Sequence, residues 1–496
     1  MNKAKAADYA LKAGQRALEN LAPADAVQYF AGAFEQIGGA DLRARCEALI
    51  GLGEAQRQTG VAAFRETLLE ASRIASELDD AELAARAALA NSRGTSVPGE
   101  RDEERLAAIA RAVELDEPPN PARRAQLLAL AAMELSWDPD LARRKALADE
   151  ALVLVRGASD MGALAAVLQR AFFAIRSPET LDERRGLAAE LVDCAAKLGD
   201  PALAFWAQCV SVDSFVEHGE LTSARDAAAR AHALADELGQ PTTLWLDCWI
   251  RAGLELLHGD LAAGERLAEQ AFHLGQEAGQ PDAFLIYGSQ IAFIRSLQGR
   301  AQEIIEVLRQ SASAFAAVPS FNAGLALSLC SLDLNDEARA ILERATSDRF
   351  ERYGATLTTL IALAQYADVA FVLSDARAAA ILYERLEPFA DQVVWADTQG
   401  YGHVRMYLGV LAAVLGDHKR ADEYLQFACE FHEANDIPLW AARSRLGWAQ
   451  ALAERGECRG VHEHATRALE LSREHGYGAF ESRAAALLAA QSAAEA

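Results

Sequence analysis

The 496-residue sequence predicts an all-α fold. The expected form is a tetratricopeptide-like α-solenoid of about eleven or twelve helical hairpins in a right-handed superhelix. Three observations predict it. Gly199-Asp200-Pro201, Gly239-Gln240-Pro241 and Gly279-Gln280-Pro281 recur every forty residues. A second marker keeps the same step half a period later, at His218-Gly219, His258-Gly259 and Gln298-Gly299. Between the markers the apolar residues fall at helical spacing. Two turn signals per period, separated by amphipathic helices, describe a helix-turn-helix unit repeated along the chain.

The elements follow in order. A first hairpin pairs Ala4–Asn20 with Pro23–Ile37, and a second pairs Leu42–Thr59 with Ala62–Leu78. Gly94, Pro98 and Gly99 break the pattern within Asn91–Glu100, and Pro118-Pro119-Asn120-Pro121 breaks it again. Residues 1–92 are therefore read as N-terminal hairpins, 93–121 as an irregular break with a short helix, and 122–496 as the main repeat array. In that array the helices read are 122–136, 139–156, 160–175, 179–198, 201–217, 220–238, 241–258, 260–278, 281–298 and 300–316. They continue at 320–333, 335–346, 352–373, 375–390, 397–415, 417–434, 438–455, 457–475 and 478–494. Glycine closes many of them as a left-handed cap and proline opens the next. In 220–238 the stripe is Leu221, Ala224, Ala227, Ala228, Ala231, Leu234 and Leu238; its period mate is Leu261, Gly264, Leu267, Ala268, Ala271, Leu274 and Ala278. Such small residues let paired helices approach closely, while Arg225, Asp226, Arg230, Asp236 and Glu237 should face water.

Composition bounds the function. Net charge is −24, from 72 acidic and 48 basic residues, a field that repels phosphate backbones and anionic membrane surfaces, so no direct nucleic-acid binding is expected. No uncharged apolar stretch approaches the ~20 residues of a spanning helix, and the N-terminus leads into a helix without the apolar core of a signal peptide. The seven cysteines are odd in number and contain no Cys-x-x-Cys, which suits buried free thiols and a cytoplasmic setting.

No catalytic residue, cofactor or metal site is expected. There is no Gly-x-x-x-x-Gly-Lys-Ser/Thr phosphate cradle and no Gly-x-Ser-x-Gly elbow. His462 and His464, two apart on a helix, point about 200° from each other and cannot share one ion. His218 and His258 sit at helix C-termini, where a partial positive charge meets the helix dipole. The functional hint is aromatic enrichment in three period-matched first helices: Phe205 and Trp206, Trp245 and Trp249, Phe284 and Tyr287, with Asp247 and Arg251 beside the tryptophans. Two readings stand for these residues, a ligand or peptide groove on the concave wall and inter-repeat core. For Trp206, matched by Leu246 and Ile286, core is the better reading. The groove candidates are Trp245, Asp247, Trp249, Arg251, Phe284 and Tyr287. Trp395, Tyr401, His403 and Tyr407 form a second cluster of the same standing.

The chain also resembles a known family. The N-terminal pattern Ala6, Asp8-Tyr9-Ala10, Gly14, Arg16-Ala17-Leu18, Leu21-Ala22-Pro23, Ala26-Val27 and Phe30 is similar to the segment that follows the ATPase module of LuxR-type ATP-binding regulators. It is equally similar to that segment in adenylate-cyclase-linked signal-transducing ATPases. Leu147–Ala151, Leu181–Arg184, Leu382–Ala390, Tyr407–Gly409 and Trp440–Arg443 extend the likeness over nearly the whole chain. The resemblance implies a helical sensor arm that binds an inducer or a protein. The family's P-loop module and its basic DNA-binding or cyclase domain are absent from this sequence, so the chain reads as an isolated sensor region or a stand-alone relative. The expected function is a non-enzymatic sensor or protein-interaction module of a bacterial signalling or transcription regulator, using its concave face. The alternative is a stand-alone adaptor that binds a peptide segment of a partner. Expected partners are a protein, a peptide or a small-molecule inducer; a homo-oligomer stays open.

Overall fold

The computed structural model describes residues 3–20, 22–92, 101–351 and 354–495. Among them the chain forms twenty-five α-helices, from Lys3–Glu19 to Gly478–Glu495, and one two-stranded sheet. It is an all-α tetratricopeptide-like array of helical hairpins. The period markers do what their chemistry dictates. Gly239 and Gly259 close the helices Leu221–Leu238 and Pro241–His258 in left-handed conformations, with φ of 59° and 105°. A side chain there would clash with its own carbonyl, which is why glycine holds these positions. Prolines at 201, 241, 319 and 438 each begin a helix, where a missing N–H leaves nothing unpaired. Helix starts recur on aspartate: the side chains of Asp80, Asp102, Asp140, Asp160, Asp375 and Asp417 each accept a main-chain N–H of the first turn.

Paired helices approach at small residues, as the stripes predict. Leu221, Ala224, Ala227, Ala228 and Ala231 are buried, while Arg225, Asp226, Arg230, Asp236 and Glu237 are exposed. A Cβ on Gly264 would lie 2.4 Å from Leu256 of the preceding helix, so glycine is what sets that spacing. In the N-terminal hairpins a Cβ on Gly51 would lie 2.3 Å from the ring of Phe30, the aromatic centre of a core shared with Ala17, Ala26 and Ala55.

By contacts the chain divides into two compact units. One comprises Met1–Arg176, Gly186–Ala207 and Leu274–Asp282; the other comprises Ser177–Arg185, Gln208–His273 and Ala283–Ala496. In the first, Cys46, Leu49, Ile50, Ile74, Leu83, Ile109, Leu127 and Leu130 form a continuous core. In the second, the helix Thr359–Val372 is buried on nearly all sides and carries Tyr366 and Asp368 into the interior.

Several expectations need correction. The pattern leaves 79–90 unassigned, but Ala81–Ala90 is a helix capped by Asp80. The short helix expected within 93–121 is present as Glu103–Leu115, and Gly94, Pro98 and Gly99 lie outside the described residues. The expected helix 300–316 is a 3-10 turn, Ala301–Glu303, followed by Ile305–Ala314. The expected helix 352–373 starts later, at Thr359. The largest difference is at 397–415, where the helix begins only at Val404. Before it stands a β-hairpin, β1 (Val393–Trp395) antiparallel to β2 (Gly400–His403).

Candidate functional site

The hairpin lies against the first helices of the second unit. Those helices are the part of Pro201–Glu217 from Gln208 onward, Pro241–His258 and Ala283–Leu297. The side-chain amide of Gln290 donates both to the main-chain carbonyl of Thr398 in the hairpin turn (2.9 Å) and to that of Trp249 (3.0 Å). The Trp395 indole N–H donates to Asp213 at 2.9 Å, and the Gln392 side chain donates to the Pro178 carbonyl at 2.9 Å. From the other side, Gln365 and Gln399 both donate to the Tyr401 hydroxyl, at 3.2 and 3.0 Å, and Tyr407 donates to the Tyr401 carbonyl at 2.6 Å. Phe293 meets the Tyr401 ring edge-to-face at 5.2 Å. Burial pushes the Tyr401 phenol up to about 12, so it stays a neutral donor and acceptor. The hairpin thus lies on the wall, held by the main-chain carbonyls of Thr398 and Tyr401 and by the side chains of Gln392 and Trp395.

The wall is cut to fit. A Cβ on Gly253 would stand 2.1 Å from the Asp397 carbonyl oxygen. Gly253→Ala should therefore lift the hairpin turn and cost about 1–3 kcal/mol, the usual penalty for overpacking a closed contact. A urea melt checks this; an unchanged midpoint would show that the turn has room to move.

Two histidines fasten the hairpin's end. His432 Nε2 accepts the main-chain N–H of His403 at 3.1 Å, and its Nδ1 lies 2.9 Å from the Ser444 hydroxyl. His403 Nδ1 in turn accepts the N–H of Arg405 at 3.2 Å, capping the helix that follows. Both rings act as acceptors and must be neutral. Burial pushes His403 from 6.5 down to about 3 and His432 well below its ordinary value. In the unfolded chain both take up protons near pH 6.5, so the stability they contribute is full above that pH and is lost as pH falls toward 3. Between pH 7 and 5 His403 alone should account for roughly 2 kcal/mol. Urea midpoints at pH 7, 6 and 5 should fall, and His403→Asn, which keeps a capping acceptor without a titrating ring, should flatten the slope.

The predicted site residues separate into two groups. Trp245, Asp247 and Trp249 are only 3%, 4% and 4% exposed and shape the wall from inside. The two indole rings sit 6.1 Å apart, and the Trp249 N–H is buried without an acceptor. Asp247 meets His232 Nδ1 at 2.9 Å and Arg251 at 3.4 Å; burial raises its carboxyl pKa against the pull of both partners. Phe284 and Tyr287 differ. Phe284 is 71% exposed, Tyr287 stacks on Phe272 at 4.8 Å, and Phe284 lies 6.3 Å from the same Phe272 ring. Burial, and then the nearby Glu269 and Glu265, raise the Tyr287 phenol against the pull of Arg295. Trp206 is part-buried and packs edge-to-face on Phe173 at 6.2 Å, while its neighbour Phe205 is fully buried. The sequence reading missed Phe272, Gln290 and the hairpin. A signal for the last was present: Val393-Val394-Trp395 is a β-forming run, and glycines flank Tyr401.

Among the described residues no group of three or more His, Cys, Asp or Glu side chains could hold a metal ion, and no helix is long and apolar enough to cross a membrane. All seven cysteines are free, and Cys458 is the exposed one. His464 stacks on Trp448 at 4.1 Å, and its Nδ1 lies 3.1 Å from Arg445, which gives it a packing role.

Fold and site together define a helical-hairpin repeat protein of the tetratricopeptide-like class, with a self-occupied wall and an adjoining aromatic patch. No protein-family model matches the chain, and no curated protein matches it. Among solved structures it is similar to the APC/C hetero-tetramer Cut9-Hcn1, at 13% identity and a TM-score of 0.41, covering 96% of each chain. It is also similar to a Rap protein complexed with competence and sporulation factor, at 10% identity and a TM-score of 0.30, covering 95% of this chain and 99% of that one. A circular tandem repeat protein follows, at 16% identity and a TM-score of 0.12, covering 98% and 94%. At these scores the likenesses decide neither partner nor activity.

Proposed function

We propose that this chain is a non-enzymatic interaction module that binds an extended segment of a partner protein at the patch formed by Phe272, Phe284 and Tyr287. The observation that carries the reading is Phe284, a large aromatic left 71% exposed beside a stacked aromatic pair. Exposed aromatics on a rigid element are the side chains that dominate binding energy at interfaces. The hairpin supports the mode of binding, because the same row of first helices already holds a hairpin of the chain itself, through the Thr398 carbonyl and the Trp395 side chain. Glu265 is paired with Arg295, but Glu269 beside the patch, in a chain of net charge −24, favours a segment with lysine or arginine next to its apolar side chains.

Peptide display on the intact chain tests this reading. It should enrich apolar-basic sequences whose affinity falls about thirty-fold in Phe284→Ala, the equivalent of about 2 kcal/mol, with little change in stability. No enrichment, or affinity unmoved by Phe284→Ala, would count against it.

The sensor reading, an arm of a LuxR-type or cyclase-linked ATPase regulator, stands second. Its support is the Leu382–Ala390 likeness, which falls on the helix Ala376–Leu386 and the turn Glu387–Phe389 leading into the hairpin. An inducer would act by preferring one of two arrangements of the repeats. Native mass spectrometry of the chain from its own host separates the two: a retained small molecule favours the sensor, a retained polypeptide the adaptor. A cytoplasmic setting and a homo-oligomer belong to the same proposal.

A further inference from the structure

Inside its helices the chain uses glycine where a neighbour leaves no room for a side chain. At Gly51, Gly53, Gly253, Gly264 and Gly409 a Cβ would lie 2.1–2.6 Å from another residue. Gly288, in the helix Ala283–Leu297, is different: nothing stands within 4 Å of its Cβ position. It lies in regular helix, without the positive φ that calls for glycine. Glycine in mid-helix is less stable than alanine, and here neither conformation nor packing within the chain offsets that. Gly32 and Gly186 are open in the same way, but Gly288 is the one that lies in the aromatic patch, one turn after Phe284.

The patch has a direction. The helices Leu261–Glu277 and Ala283–Leu297 run antiparallel, as two cross-pairs show: Phe272 stacks on Tyr287 at 4.8 Å, and Arg295 Nη1 donates to Glu265 at 3.0 Å. Glu265, Glu269 and Phe272 share one face of the first helix, and Phe284, Gly288, Ile291 and Arg295 share one face of the second. Together they make a strip with an aromatic end and an acidic end, and at Gly288 the missing side chain leaves the backbone open between them. Glu265 is taken up by Arg295, while Glu269 is exposed. Resting on the assignment of the patch as the partner's site, we propose that the bound segment crosses the helix Ala283–Leu297 at Gly288 with a small residue of its own. It places an apolar side chain on Phe284 and a basic one at Glu269. Two backbones come this close only where no Cβ stands between them. By the cross-pairs Glu269 is level with Gln290, about 9 Å along the helix axis from Phe284. Extended chain covers about 3.3 Å per residue, so the apolar and basic residues stand about three positions apart with the small one between.

Two fluorescent synthetic peptides, titrated against the full chain, test the crossing. Both carry leucine and arginine three positions apart, one with alanine between them and the other with isoleucine. Wild type should bind the alanine peptide saturably and at least ten times more tightly than the isoleucine peptide. Gly288→Ala should weaken the alanine peptide at least tenfold, while the free variant melts at a higher temperature than wild type. Gly186→Ala, at an open position of the helix Leu181–Leu198 outside the patch, should also melt higher and leave binding unchanged. Equal affinity for the two peptides, or no loss in Gly288→Ala, with Phe284→Ala still weakening binding, would overturn the crossing and leave the patch standing. No binding of either peptide would overturn the pattern, and binding unmoved by Phe284→Ala would overturn the patch with it. A lower melting temperature for Gly288→Ala would show that the chain itself needs the space, which also overturns the crossing.

Discussion

Trp395→Ala is expected to destabilise the second unit by about 3–5 kcal/mol, the range for deleting a large buried aromatic. The side chain is buried in the hairpin, and its N–H is the partner of Asp213. The substitution opens a cavity and removes the Trp395–Asp213 hydrogen bond, so the two losses act together. Trp395→Phe restores most of the volume without the N–H and should recover more than half of the loss. Chemical denaturation followed by circular dichroism measures both. A loss below about 1 kcal/mol for the alanine variant would mean that the hairpin only rests on the wall.

Asp368→Ala should have an effect of similar size for a different reason. Asp368 accepts from Arg443, and both are buried. Arg483 is also close, and burial together with Arg443 lowers its pKa to about 10. Removing Asp368 leaves the buried Arg443 beside the part-buried Arg483 without that carboxylate, and breaking a buried pair from one side costs about 3–5 kcal/mol. Arg443→Met placed on top of Asp368→Ala should return a large part of that loss, since an apolar side chain of similar length needs no partner. Additive losses in the double variant would show that the pair is not the unit of stabilisation.

The helical units were legible because their signals are local. Gly239, Gly259 and their period mates set turns with their own φ angles, and prolines and aspartates mark helix starts within a residue or two of where they stand. The hairpin at 393–403 was not, because a short strand pair set into helical sequence is stabilised by distant partners. Gln290 and Thr398 are 108 residues apart, and Trp395 and Asp213 are 182 apart. The same distance effect divides the aromatic candidates. Trp249 and Phe284 are both aromatic and stand in period-matched helices, and only the fold shows that one face is closed by Gly253 against Asp397 while Phe284 stays open.

The central claim is that the chain's own segment occupies the wall of the second unit, leaving the Phe284 patch for a partner. Hydrogen exchange of the free chain, read by mass spectrometry, tests it most directly. The N–H groups of His403, bonded to His432, and of Val404, bonded to the Gln392 carbonyl, should exchange as slowly as those of the buried helix Thr359–Val372. They should stay slow when a display-selected peptide binds. Exchange of the 393–404 segment within seconds, or its release by the peptide, would contradict the account and make the wall itself the partner's site.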